Sequence, residues 1–523
     1  MTDKDYLRAQ RELWEPATGP NGMSRRKFLQ ALGIGTGAAL AAPTLLSRFE
    51  AFAATGTSAT DGILVLVMLG GGNDGLNTLV PFTDSKYRAL RPTLGYGAPG
   101  SGSRASLDIN DANFGLNPHL TNLQARYLRN QVAFVRGVGY TPPDMSHFTS
   151  MGYWMQGWKD APPMQYANGW VGRFMDSLPG ASTNALLGAC IGSSVPLHMI
   201  GSSARAAGIP QDISGAFGID RSKPYDARMF DAFSSYANTS TGKGPWADLV
   251  AKTGQSSMTV ANTVQPAYVG DLGDDDLVQQ LTLTARLINL DLGTRVFHTH
   301  LGSFDTHGDQ EDLHGRLLTS LDAGIEALFA NLGPAQRSRV TLLTFSEFGR
   351  RAQENSGGTD HGAAGLDIVV GDKVKGGLYG AQPSLTDLDA NGNLKASTDF
   401  RAVYAEMLGD WLGADPVPIL GKDYDRLGLF TCAPTATTTS TSTTTSTTTS
   451  TTTSTTLPPV TTTTTLDPAT TTSTTTTLPD PAPPDTVPDP TTTTTTSTTL
   501  PETTTPGTLP RRHRRRRSRT STN

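Results

Sequence analysis

Ile63-Leu64-Val65-Leu66-Val67-Met68-Leu69 is an unbroken apolar run, and Gly70-Gly71-Gly72-Asn73-Asp74-Gly75-Leu76-Asn77 follows it without a gap. A strand with one face in water alternates polar and apolar residues, whereas a continuous run suits a strand buried on both faces of a mainly parallel sheet. Val132 to Val138, Val340 to Phe345 and Leu366 to Val370 are similar runs. Helical patterns fill the gaps. Leu313, Leu317, Leu318, Leu321, Ile325 and Leu328 fall on one helical face. Phe400, Val403, Tyr404, Met407, Leu408, Trp411 and Leu412 share another, behind Asp399 as its N-cap. The alternation predicts an α/β fold: a mainly parallel central sheet with helices on both faces.

In such a sheet, polar residues just past the carboxyl ends of the strands line the ligand crevice. Asp74 and Asn77 follow the first strand, and Asp305 and His307 follow the segment Thr294 to Phe304, with His314 further on. Glu347 and Arg350 lie in Ser346-Glu347-Phe348-Gly349-Arg350, and Asp360 and His361 in Gly357-Gly358-Thr359-Asp360-His361-Gly362. Gly70, Gly72 and Gly75 have the spacing of a dinucleotide fingerprint. However, Pro81 interrupts the helix that fingerprint should open, and Asp74 would face the pyrophosphate.

Asp74, Asp305, His307, Glu347, Asp360 and His361 instead form a ligand set for hard or borderline divalent cations such as Zn, Mn, Mg or Ca. Each alone is an ordinary turn, cap or surface residue; their recurrence past successive strand ends points to a metal. The candidate nucleophile is Ser146 in Pro143-Asp144-Met145-Ser146-His147-Phe148, ahead of a helix-like stretch with Phe148, Met151 and Trp154. A helix N-terminus favours an anion there, although Ser146 equally suits a plain N-cap. His147 is its candidate partner or a further ligand, and Arg350 and Asn77 are the candidates for binding a substrate anion.

Ser24-Arg25-Arg26-Lys27-Phe28-Leu29-Gln30 runs into the apolar stretch Ala31 to Leu46, the pattern of a twin-arginine export signal. That stretch is shorter than the roughly 20 residues of a spanning helix. Ala51-Phe52-Ala53 supplies a cleavage pattern, so residues 1–53 are expected to be removed. The twin-arginine translocase is then a partner during export, and the chain is expected to be extracellular, periplasmic or cell-wall associated. No later apolar run is long enough to cross a bilayer, so no transmembrane segment is expected in the mature chain.

Residues 433–523 are dominated by Thr, Ser and Pro and close on Arg511-Arg512-His513-Arg514-Arg515-Arg516-Arg517. Such a composition predicts a disordered stalk of a kind that carries O-glycans, whose arginine cluster suits anionic wall polymer or headgroups and equally suits a plain solubilising tail end. Leu500-Pro501-Glu502-Thr503 begins like a sortase signal, but Thr504 replaces the required Gly. The body, residues 54–432, holds 28 basic and 37 acidic residues once the seven basic and five acidic residues of each flank are set aside. A net charge of minus nine argues against nucleic acid as a partner. Cys190 and Cys432 are the two cysteines, and sequence leaves their pairing open.

The Gly-Gly-Asn-Asp-Gly-Leu-Asn loop, Phe114-Gly115-Leu116-Asn117-Pro118, Ser146-His147-Phe148, Phe304-Asp305-Thr306-His307, Thr344 to Arg350, Gly358 to Gly362 and Gly376 to Gly380 resemble the domain of unknown function 1501 family across about residues 61 to 430. That family is similar to the alkaline phosphatase and sulfatase superfamily. The resemblance implies an alkaline phosphatase-like α/β core with metal over the strand ends. It casts Asp74 as a first metal aspartate, Ser146 as the phosphate- or sulfate-accepting residue, Asp305 and His307 as later ligands, and Asp360 and His361 as the final histidine region. Where the superfamily has adjacent Asp and His, this chain has Glu347 and Phe348, and His314 is a rival to His307.

Two functions follow as expectations. One is an exported metal-dependent hydrolase of small phosphate or sulfate esters, with Ser146, His147 and Arg350 catalytic. The other is a non-catalytic wall-associated protein, bound to cell-wall polymer, that keeps the fold with or without a structural cation.

Overall fold

The run at residues 63–69 forms the strand it predicts, β1 (Ile63–Leu69), in the middle of a nine-stranded sheet. This computed structural model describes residues 61–158, 168–192, 194–204, 206–211, 223–239, 242 and 244–431. The export signal, the Thr/Ser/Pro-rich tail with its arginine cluster, and Cys432 lie outside the described residues. The remaining strands are β2 (Val132–Gly139), β3 (Gly188–Ile191), β4 (Ala206–Ile209), β5 (Val296–Leu301), β6 (Val340–Phe345), β7 (Gly365–Val370), β8 (Gly377–Tyr379) and β9 (Thr398–Asp399). Their order is β8-β2-β7-β6-β1-β5-β3-β4, with β9 beside β2.

The sheet is mainly parallel, as its unbroken apolar runs require. β1 pairs in parallel with β5 and β6, Val65 standing opposite Phe297 and Leu342. β7 is the exception, antiparallel to both β2 and β6. A parallel successor to β6 would need a crossover of a dozen or more residues back to the far edge. β7 instead starts at the edge where β6 stops.

Four helices bear on the site: α1 (His147–Gln156), α2 (Asp276–Asn289), α3 (Gln310–Asn331) and α4 (Phe400–Glu406). Side chains alternate across a strand, so β1 feeds two cores. Val65 and Val67 join Leu281 of α2 and Leu318, Leu321 and Phe329 of α3 on one face. Leu64 and Leu66 join Trp154 of α1 and Phe400 and Tyr404 of α4 on the other. Each such fully buried side chain contributes about 1.5–3 kcal/mol. Asp399 caps α4, its carboxylate accepting from the Arg401 N–H, and a π-helical turn, Met407–Trp411, continues the helix.

The Ser/Gly/Ala-rich stretch from about residue 200 to 275 reads from sequence as a cap or an irregular insertion. It carries two helices, Pro224–Thr239 and Pro245–Val264. Among the described residues no helix is long and apolar enough to cross a membrane.

Candidate metal centre

The carboxyl ends of β1, β2, β5 and β6 open on one edge, because these strands share a direction. Their following loops carry most of the polar residues singled out from the sequence. α1 begins just beyond β2, and Ser146 is its N-cap, with Oγ accepting from the Thr149 N–H at 3.4 Å. That places His147 in the first helical turn. Ser146 itself is exposed.

Three imidazoles surround the Asp305 carboxylate. His361 Nε2 and His307 Nε2 each lie 3.0 Å from Asp305 Oδ1 and 3.0 Å from one another. His147 Nε2 lies 3.5 Å from Asp305 Oδ2. Ligand atoms of His147, Asp305 and His361 all fall within 4.8 Å of one another. Two donor sets therefore share Asp305 and His361, with His307 on one side and His147 on the other.

The second nitrogen of each ring is engaged as well. His147 Nδ1 stands 2.8 Å from Glu347 Oε1, His307 Nδ1 3.2 Å from Asp360 Oδ1, and His361 Nδ1 3.0 Å from the Met145 carbonyl. These oxygens only accept, so they suit a proton on each Nδ1 and leave Nε2, the atom facing Asp305, as the one each ring would offer to a cation. Converging lone pairs and a carboxylate repel unless a proton or a cation stands among them. Nitrogen and oxygen donors, with outer groups orienting the rings, fit a divalent cation. Side-chain exposures of 18% for His147, 21% for His361, 39% for Asp305 and 46% for His307 leave the group open to solvent.

Charges follow from these contacts. Burial disfavours the protonated His147 ring, but hydrogen bonds to Asp305 and Glu347 outweigh it and raise its pKa to about 9. Burial opposes ionisation of Asp305 too, yet His147, His361 and Arg350 hold its carboxyl far below the usual range.

Other residues singled out from the sequence are engaged by protein groups away from these donors. Asp74 is 1% exposed and faces no open site: Oδ2 takes Arg91 Nη1 at 2.5 Å and Gln310 Nε2 at 2.5 Å, while Oδ1 caps a single helical turn, Gly75–Thr78. Burial works against its charge, and Arg91 nevertheless keeps the carboxyl ionised below the ordinary value. Asn77 is turned to protein partners: Oδ1 accepts from Tyr87 and Arg91 and Nδ2 donates to the Leu94 carbonyl. Arg350 is turned inward as well. Buried at 1% exposure, it donates to the carbonyls of Gly71, Gly72, Phe304 and Thr359 and to Asp305 Oδ1.

Glu347 and Asp360 hold the imidazoles of His147 and His307 instead of standing among the converging atoms. Glu347 also accepts from the Gly71 N–H, and Asp360 accepts from Asn355 Nδ2. His314, the rival to His307, is buried against Asn73 Oδ1 at 3.0 Å, and burial lowers its pKa to about 4.

A family model described as protein of unknown function (DUF1501) matches residues 62–417. The chain belongs to the DUF1501 family. No curated protein matches it. Among solved structures, this DUF1501 chain is similar to a protein in the alkaline phosphatase superfamily from Vibrio parahaemolyticus, with a TM-score of 0.32 and 11% identity over 77% of this chain and 78% of that one. It is also similar to Ps i-CgsB, with a TM-score of 0.28 and 8% identity over 70% and 73%. For Ps i-CgsB in complex with k-i-k-neocarrahexaose the TM-score is 0.25 and the identity 10% over the same shares.

Three residues of this DUF1501 chain that shape the centre escaped sequence reasoning. Arg91 and Gln310 sit in no motif, and their partner Asp74 lies 17 and 236 positions away. Met145 contributes only a carbonyl, which leaves no mark on residue type.

Proposed function

We propose that this DUF1501 protein is an exported, metal-dependent hydrolase of phosphate or sulfate esters. It uses one divalent cation held at Asp305 by the imidazoles that face it. The observation that carries the reading is the convergence of three Nε2 atoms on one carboxylate, with Nδ1 of each ring tied to an acceptor. One cation suffices for the donors present, because Asp74 and Glu347 are engaged by protein groups. Zn, Mn, Mg and Ca remain the candidates, with the two to three nitrogens favouring Zn.

A bound divalent cation polarises an ester oxygen and lowers the pKa of a nucleophile. The chain's own residues supply the remainder. Glu347, Asp360 and the Met145 carbonyl orient the imidazoles, and Arg350 orients Asp305. Ser146 is the proposed nucleophile: its hydroxyl is exposed, heads α1 where the helix dipole favours an anion, and lies between Met145 and His147. With Arg350 and Asn77 turned inward, the substrate anion is left to the cation and the α1 N-terminus.

The second reading is a non-catalytic wall-associated protein with or without a structural cation. The inward engagement of Asp74, Asn77 and Arg350 favours it, since fewer groups remain to grip a substrate. In either case the proposed mature body is residues 54–432, carried out by the twin-arginine translocase, with the basic tail end on wall polymer and no role for nucleic acid.

Metal analysis of the mature protein, with aryl phosphate and aryl sulfate turnover by wild type, Ser146→Ala and Asp305→Asn, tests the choice. One equivalent of metal and turnover lost in both variants supports the hydrolase. Metal without turnover supports the second reading, and no metal at all refutes the hydrolase. Export is checked separately, by fusing residues 1–60 to a folded reporter and replacing Arg25 and Arg26 by Lys.

A further inference from the structure

Phe348 offers no polar atom to a cation, yet both neighbouring ligand rings touch it. Its ring centroid lies 4.9 Å from that of His147 and 4.5 Å from that of His361. The two imidazoles stand 4.5 Å apart and nearly perpendicular, at 75°. Phe348 is 2% exposed, and its chain neighbour Glu347 is anchored to the Gly71 N–H and to His147.

The Cδ2–Cε2 edge of the ring is packed close to Gly72, where a Cβ would come 2.7 Å from Phe348 Cε2, and where φ of +91° already disfavours any side chain. A hydrogen bond at Nδ1 fixes one point of each imidazole but leaves the ring able to pivot about it. Contact with the Phe348 ring restricts that pivot.

We propose that Phe348 is a positioning residue of the metal centre: a wedge that sets the angle between His147 and His361 and so strengthens cation binding without touching the cation. The inference rests on the reading that this group holds a cation. A side chain at Gly72 would meet the same ring and displace it.

Phe348→Leu is the informative change, because leucine fills the space without a flat face. The control is Phe329→Leu, which alters a fully buried core ring on α3. Calorimetric titration of the mature proteins with Zn and with Mn should show binding weakened about tenfold by Phe348→Leu and unchanged by Phe329→Leu. In the cation-free protein, side-chain nitrogen resonances of His147 and His361 should move in Phe348→Leu while that of His314 stays. Wild-type binding matched by Phe348→Leu overturns the inference alone, as does equal weakening by Phe329→Leu. No binding by the wild type overturns the underlying reading with it.

Discussion

Arg350 Nη2 stands 2.7 Å from Asp305 Oδ1, and the same guanidinium ties together the carbonyls of Gly71, Gly72, Phe304 and Thr359. One buried side chain therefore joins the loops after β1 and β5 to the loop that bears His361. Lysine keeps the charge but has three donors on one nitrogen and cannot span these acceptors. Arg350→Lys should lower unfolding free energy by about 3 kcal/mol and weaken cation binding, read from denaturant midpoints and metal titration.

Asp74 and Asp305 look alike in sequence and should behave oppositely. Asp74→Ala leaves the Arg91 guanidinium, 0% exposed, without its carboxylate and should cost about 3–5 kcal/mol while the metal content stays at wild-type stoichiometry. Asp305→Asn should abolish metal uptake at far smaller cost to folding. Thermal melts beside elemental analysis decide it, and loss of metal in folded Asp74→Ala would return that residue to the ligand set.

Acid should destabilise the fold through its buried histidines. Burial lowers the pKa of His198 to about 3 and of His314 to about 4, both from 6.5. These rings stay neutral when folded but take up a proton on unfolding below pH 6.5, so the unfolded chain binds more protons there. Their contribution is intact above about 6.5 and is lost as pH falls toward 4, by up to about 1.4 kcal/mol per pH unit for each ring. Unfolding free energy measured at pH 7.5, 6 and 5 should fall accordingly, and a flat profile refutes it.

His147 has the opposite sign. Its pKa is raised to about 9, so its contribution to the cation-free fold is complete below about 6.5 and fades as pH rises through 9. A cation at Asp305 competes with that proton. Binding at pH 7.5 should release a proton, and affinity should climb until about pH 9. Titrations in two buffers of different ionisation heat check this, since equal observed heats would show that no proton leaves.

Much of the fold is legible in the sequence, because the physics that builds it is local. An apolar run such as Ile63 to Leu69 cannot face water, and Asp399 ahead of Phe400 marks a helix start by its own carboxylate. Strand direction is not local, so the reversal of β7 left no trace in Leu366 to Val370. At the site, Asp305, His307 and His361 were findable because strand ends deliver them to one edge. Asp74, Asn77 and Arg350 arrive at that edge too, but their partners come from Arg91, Gln310 and backbone carbonyls that residue type does not announce. A carboxylate sealed in by arginine and one ringed by imidazoles are the same letter.

The reversal of β7 has a consequence for how such a protein can change. Because β7 starts where β6 ends, Glu347, Phe348, Arg350, Asp360 and His361 all belong to one contiguous excursion, residues 346–364, that never leaves the rim. Lengthening or exchanging the part between Arg350 and Asp360 would reshape the approach to the centre while every rung of the sheet stayed in place. Diversification of what enters the crevice is thereby uncoupled from the foldability of the domain.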